Sequence, residues 1–176
     1  MKKILIVVDM QNDFIDGSLG TPEALKIVPK VIDKIKRYEE ENTLIYYTKD
    51  THFEDYLKTC EGKKLPVEHC IKNTTGWMIP DNILRNHQDC IIEKYTFGSK
   101  ELFDELLKIN EKESFESIEL IGLCTDICVI SNALLAKAYF PNVKIIVDST
   151  CCSGVTKESH EKALSIMAIC QIDILK

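Results

Sequence analysis

The stretch Ile4-Leu5-Ile6-Val7-Val8-Asp9-Met10-Gln11-Asn12-Asp13-Phe14 decides how the rest of the chain is read. Its first five residues are apolar without alternation, the pattern of a strand covered on both faces, as in a parallel sheet. The run stops abruptly at a carboxylate, Asp9. Comparable short runs recur at Thr43–Thr48, Asp89–Ile92, Ser117–Ile121, Val143–Val147 and Gln171–Leu175. Helical periodicity fills the gaps between them. Ala24–Glu40 spaces Leu25, Val28, Val31, Ile32 and Ile35 three and four residues apart, after the start signal Thr21-Pro22-Glu23. Ser99–Ile109, Asp126–Tyr139 and Lys157–Ile169 keep the same period. Strands alternating with helices predict βαβ units. The expected fold is α/β: a three-layer α/β/α sandwich around a mostly parallel, Rossmann-like sheet of about six strands. No repeat, linker or low-complexity tract divides residues 1–176, which read as one domain. The stretch from Asp50 to Asp89 has turn residues and little periodicity, and so long a loop in a compact fold points to function.

Composition narrows the classes of function. A net charge of −6 argues against tracking the phosphates of a nucleic acid, and 45% hydrophobic with 28% charged residues suits a globular protein handling a small ligand. The apolar run after Lys2 and Lys3 is too short for a secretory signal or a membrane span, so no membrane is expected. The eight cysteines are then expected to be free thiols in the cytosol. Two other classes fit poorly. The first strand leads to Asp9-Met10-Gln11-Asn12 with no glycine-rich phosphate turn, and no C-x-x-C redox pair exists, Cys124 and Cys128 being four apart. Assembly into a homo-oligomer is open, since no stretch specifies an interface.

In such sheets ligands sit beyond the carboxyl ends of the strands. Asp9 follows the first strand, Lys49-Asp50-Thr51-His52 the second, Glu93-Lys94-Tyr95 the third, and Gly122-Leu123-Cys124-Thr125-Asp126-Ile127-Cys128 the fourth. A carboxylate, an ammonium and a thiol thus converge on one edge. With Thr125 or Asp126 as N-cap, Cys128 falls in the first turn of a helix, where the dipole favours thiolate. Amides of that turn, including those of Cys124 and Cys128, would grip the oxygen of a tetrahedral intermediate, each such donor being worth ~3–4 kcal/mol of barrier. Singly, each feature has a plainer explanation: most buried cysteines are small hydrophobes, Asp9 could cap a strand, and Lys94 could be a solvated charge. Cys60, Cys70, Cys90, Cys151, Cys152 and Cys170 take that plainer reading. Asp50, His52, Glu61 and His69 offer two imidazoles and two carboxylates, a donor set for a divalent ion, with Asp55 an alternative to Glu61.

Three motifs give a family resemblance. Val-Val-Asp-Met-Gln-Asn-Asp-Phe (7–14), Glu-Lys-Tyr-Thr-Phe-Gly-Ser (93–99) and Gly-Leu-Cys-Thr-Asp-Ile-Cys-Val (122–129) resemble the isochorismatase-like cysteine hydrolases, and within them the nicotinamidases. The resemblance runs nearly end to end. It implies an Asp–Lys–Cys triad at Asp9, Lys94 and Cys128, and a cis peptide at Leu123–Cys124 that turns the Cys124 amide into an oxyanion hole. It also implies a metal site that begins with Asp50-x-His52 and ends at His69 in Pro66-Val67-Glu68-His69-Cys70. Many members use a third histidine between these; this chain has none, and Glu61 is the expected replacement. The implied cofactor is a divalent metal ion, zinc first, with manganese or iron as alternatives. The implied partner is a small-molecule amide, with Phe14 and Leu123 as pocket walls. Many nicotinamidases place a tryptophan shortly before the last metal-binding histidine, where this chain has Leu65; its single tryptophan, Trp77, lies beyond. His87 and His160 read as surface residues, Asp148 as a turn cap ending the fifth strand, and Gln11 as a support for Asp9 or for water on the metal.

Overall fold

The computed structural model describes residues 2–41, 43–85 and 90–176. Its frame is a six-stranded, all-parallel sheet: β1 (Lys2–Val8), β2 (Leu44–Asp50), β3 (Ile91–Lys94), β4 (Phe115–Leu123), β5 (Lys144–Ser153) and β6 (Asp173–Leu175). The spatial order is β3-β2-β1-β4-β5-β6, so the chain reverses its direction of progress at β1 and β4. The expected sandwich is what forms. Ile4, Ile6 and Val8 of β1 face a core made with α4 (Lys100–Lys112), α5 (Ile130–Tyr139) and α6 (Lys157–Ile169). Leu5 and Val7 face the opposite core, built on α1 (Asn12–Ile15), α2 (Pro22–Glu40) and α3 (Asp81–Leu84). Both faces of β1 are therefore dry, which is why its sequence does not alternate.

Local chemistry sets the helix starts. The Thr21 hydroxyl accepts the Ala24 N–H (3.0 Å) with Pro22 at the first position of α2, Ser99 accepts from Leu102 (3.2 Å) to start α4, and Thr156 forms a capping box with Ser159 at α6. Strand bounds differ from expectation along the whole sheet: β1 starts at Lys2 and not Ile4, β4 spans Phe115–Leu123 and not Ser117–Ile121, and β6 starts at Asp173 and not Gln171. β2 runs on through Lys49 and Asp50, and β5 runs on to Ser153. The third strand was expected at Asp89–Ile92, but β3 extends to Lys94; Asp89 itself, like His87, lies outside the described residues. The short run Ile-Ile-Glu-Lys has too few apolar residues to mark its own end.

Asp148 consequently sits in mid-strand, not at an end. Lys34 of α2 reaches between two strands, its Nζ 2.6 Å from Glu119 Oε1 on β4 and 2.7 Å from Asp148 Oδ2 on β5. Tyr38 donates to Glu119 as well. Asp148 also receives the Thr150 N–H (2.9 Å), but within β5, so it caps no turn as had been expected.

None of the eight cysteines, all of them among the described residues, forms a disulfide. Among the described residues, no helix is long and apolar enough to cross a membrane.

Candidate active site

The strand ends deliver the reactive groups to one place. β1 ends at Val8, and Asp9 turns the chain sharply in the left-handed region (φ 46°), a conformation that costs an L-residue about 1–3 kcal/mol and is kept where surroundings enforce it. Thr48 of β2 does the enforcing: its hydroxyl accepts the Asp9 N–H (3.2 Å) and donates to Asp9 Oδ1 (2.6 Å). Lys94 ends β3, in register with Asp50 on β2. Its Nζ lies 2.7 Å from Asp9 Oδ2, 3.0 Å from Asp50 Oδ1 and 3.6 Å from Cys128 Sγ. Asp9 and Lys94 are wholly buried.

The thiol arrives on an unusual turn. Gly122 holds φ 118°, and a Cβ there would stand 2.1 Å from the Val8 carbonyl oxygen, so only glycine lets β4 end this close to β1. The Leu123–Cys124 peptide is cis. The Cys124 carbonyl then accepts two N–H groups, from Ile127 (3.1 Å) and Val129 (3.0 Å), and Thr125–Val129 form a π-helical turn before α5. Neither Thr125 nor Asp126 is the N-cap, contrary to expectation; Cys124 holds that position, without a side-chain cap. Thr125 and Asp126 tie the turn to its neighbour instead. The buried Thr125 hydroxyl pairs with His160 Nδ1 (2.8 Å), and the Asp126 carboxylate accepts the Val155 N–H (3.2 Å). His160, expected at the surface, is half-buried against Gly154.

Burial dominates the electrostatics. It pushes the Cys128 thiol well above the ordinary range, with Lys94 opposing and Asp9 and Asp50 adding to the rise. The expected lowering by the helix start is therefore overturned: a sulfur this buried is held as the thiol. Burial likewise raises the Asp9 carboxyl against the pull of Lys94. For Lys94 burial works toward the neutral amine, but the neighbouring carboxylates, Asp9 first and then Asp50, outweigh it and hold the ammonium well above its usual range. Asp9 Oδ2 touches Lys94 as an ion pair without hydrogen-bond alignment, and no described residue hydrogen-bonds it. A protonated thiol beside a carboxylate oxygen with capacity to spare is a pair arranged for proton transfer.

The four expected metal ligands stand together. One donor atom from each of Asp50, His52, Glu61 and His69 lies within 4.8 Å of the others; Asp55 is outside the group. His52 Nε2 is 3.1 Å from Asp50 Oδ2 and 3.7 Å from Glu61 Oε1, and His69 Nε2 is 3.8 and 3.9 Å from the same two oxygens. The Val67 carbonyl holds His69 Nδ1 at 2.8 Å, so Nε2 faces the cluster, the second-shell arrangement metal-binding histidines need. Gln11 fixes the backbone of Asp50: its Oε1 accepts the Asp50 N–H (2.7 Å) and its Nε2 donates to the carbonyls of Asp50 and Trp77 (2.9 Å each). Its side chain thus supports Asp50, while its backbone N–H donates to the Asp9 carbonyl (2.8 Å). Two imidazoles and two carboxylates converging in a largely dry spot fit a borderline divalent ion.

A cavity of about 660 Å³ opens onto both groups, lined at its floor by Cys128, Cys124, Leu123, Asp50 and His69, with Phe14 on its wall. Trp77 is not part of it. Its indole N–H donates to Thr51 (2.9 Å), and Lys49 Nζ stands 2.9 Å from the ring centroid. Burial brings the Lys49 ammonium down to about 8. Fluorescence of this single tryptophan should therefore change with a midpoint near pH 8, and the transition should vanish in Lys49→Met. The native state also sheds this proton more readily than the unfolded chain, so Lys49 makes stability rise with pH between about 8 and the ordinary lysine range of ~10.4. A fluorescence profile flat from pH 7 to 9.5 would refute this assignment.

Thr48 and His160 were missed as parts of this neighbourhood. Thr48 had one usable signal, its place two residues before Asp50 on the same strand face; His160 had none, because 35 residues separate it from Thr125, which the sequence placed in the turn only as a candidate cap.

Comparison with known proteins finds relatives along the whole chain. The family model for the isochorismatase domain matches residues 3–175. A nicotinamidase of Schizosaccharomyces pombe is 28% identical over 97% of this chain and 91% of its own. The structure of the pyrazinamidase of Pyrococcus horikoshii in complex with zinc superposes with a TM-score of 0.79 at 31% identity, over 100% of this chain and 99% of that one. The N-carbamoylsarcosine amidase of Thermoplasma acidophilum gives a TM-score of 0.80 at 27% identity, over 100% and 96%.

Proposed function

Because the chain belongs to the isochorismatase family of hydrolases, we propose that it cleaves the C–N bond of a small aromatic carboxamide, nicotinamide being the representative, through a thioester on Cys128. One observation carries the reading: Lys94 Nζ bridges Asp9, Asp50 and Cys128, the last two of which line a cavity that the metal-type cluster shares. Asp9 takes the thiol proton, and the sulfur attacks the carboxamide carbon. Lys94 keeps Asp9 oriented and compensates the thiolate as it forms. The amides of Cys124 and Cys128 receive the developing oxyanion. Asp9 then returns the proton to departing ammonia, and in the second half-reaction it activates water, which releases the acid and restores the thiol. Asp50, His52, Glu61 and His69 would hold a divalent ion, which would supply a Lewis-acidic point for the ring nitrogen. Eight cysteines that form no disulfide support a cytosolic setting.

The test is direct: incubate the purified protein with nicotinamide and follow ammonia before and after chelation. The expected result is turnover that chelation suppresses and zinc or manganese restores. Turnover of a carbamoyl compound instead, unaffected by chelation, would favour the second reading, that of an amidase like the Thermoplasma relative. Absence of both activities would refute the assignment.

His160 offers a subtler check. If its bond to Thr125 holds the Cys124–Cys128 turn in register, His160→Ala should lower kcat about tenfold with KM nearly unchanged. Asn at this position, whose amide reaches the place of Nδ1, should recover most of the loss. Equal losses in both variants, or a change confined to KM, would count against a positioning role.

A further inference from the structure

The cavity is far larger than one ring. A volume of about 660 Å³ falls in the middle of the ~300–1,000 Å³ range of pockets that enclose drug-sized ligands, whereas a pyridine carboxamide fills only its floor. Above that floor the wall is mostly apolar. Leu65, Tyr95, Phe97 and Val155 line it, and each is more than a third exposed although large and hydrophobic. Asp50 and Glu61 belong to the metal-type cluster, and among the described residues Lys64 is the only lysine or arginine on the wall. A lone exposed ammonium lacks the convergent donors that a phosphate or carboxylate substituent would need. Four exposed apolar side chains gathered around one opening gain instead from an apolar ligand that removes them from water.

Ligand geometry gives the direction of growth. Resting on the reading above, the carboxamide carbon sits at Cys128 and the ring nitrogen faces Asp50, His52, Glu61 and His69. Those two anchors fix the ring edge containing C2 toward the floor, so the opposite corner, C5, faces the opening. We propose that the preferred substrates are aromatic carboxamides carrying an alkyl or aryl group at this distal ring position, seated between Leu65, Phe97 and Val155. The substituent takes no part in bond-making; its binding is uniform between ground and transition states and lowers KM.

The experiment compares kcat/KM for nicotinamide, 5-propylnicotinamide and 5-benzylnicotinamide with the metal-loaded protein. Both substituted amides should exceed nicotinamide by about tenfold, mainly through KM, the effect of burying roughly two methylene groups. Phe97→Ser and Val155→Ser should each erode that advantage severalfold while leaving nicotinamide within about twofold. Hydrolysis of nicotinamide with equal or poorer use of the 5-substituted amides would overturn the substrate proposal and leave the site assignment standing. Rim variants that slow all three amides alike would overturn it too. Failure to hydrolyse any of the three would overturn the assignment of the site and this proposal with it.

Discussion

Replacing Cys128 by Ala is expected to lower kcat for the carboxamide by at least about a thousandfold, roughly 4 kcal/mol of barrier. The sulfur is the atom that forms the bond in the proposed reaction, and Asp9 and Lys94 have no other nucleophile to serve. The side chain is 4% exposed and packs in the core shared by α4, α5 and α6, so the variant should lose only a little stability, and its Tm must be measured alongside. Metal content and the Kd for the acid product should stay near wild type, because none of the metal-type ligands contacts Sγ in the structure. A variant that kept a tenth of the wild-type rate would remove Cys128 from the mechanism. The same experiment separates two accounts of the thiol. Burial holds it protonated at rest, so inactivation of the wild type by an alkylating reagent should be slow at neutral pH, unlike that of a thiolate at an exposed helix start.

Lys94→Met is the second large effect, and it acts on stability as well as rate. The ammonium is wholly buried between two carboxylates that are themselves buried, Asp9 at 2.7 Å and Asp50 at 3.0 Å. Methionine fills much the same volume but leaves both acids without a cation. Breaking a buried pair in this way costs ~3–5 kcal/mol, on the order of 10 °C in Tm for a chain of this size. The pH dependence has a definite sign. Without the ammonium, the two carboxyls hold protons more tightly in the folded state than in the unfolded chain, so the variant's deficit should shrink as pH falls and widen as it rises. Activity should fall at least about a thousandfold, since Asp9 would stay protonated and could not accept the thiol proton. A variant matching wild type in both Tm and rate would show that the amine is a bystander.

Much of the fold was legible because burial writes itself into composition. Ile4–Val8 has no polar face, and α2 carries its apolar stripe and its Thr21-Pro22 start openly. The meeting of Asp9, Lys94 and Cys128 followed from the rule that parallel strands present their carboxyl ends to one side, so three residues distant in the chain could be placed together without coordinates. What the sequence hid is equally physical. β3 has four residues, three of them only half-buried, and its boundary carried no periodicity to read. The π-helical turn at Thr125–Val129 arises from the Cys124 carbonyl gathering two N–H groups, a tertiary outcome that local preference for Thr or Asp caps did not anticipate. The protonation of Cys128 was misread for the same reason. A helix start lowers a thiol's pKa, but the depth of burial outweighs it, and depth is a property of packing that no motif states. Gln11 was visible as a candidate support, yet only its partners reveal that it grips both backbone groups of Asp50.

The Lys34 bridge between Glu119 and Asp148 acts as a key between strands. Side chains on a strand alternate faces, so sliding β5 by one residue against β4 would turn Asp148 into the apolar core on the other side and leave Lys34 half-neutralised. Uniformly apolar strands could tolerate such a slip; these cannot. Just past this pair the ladder breaks step between Leu120 and Gly122, and the tips pair afresh as Gly122 with Cys152 and Leu123 with Ser153. A charge that never meets a ligand thus locks the stretch of ladder on which that break, and the turn carrying the sulfur, is built.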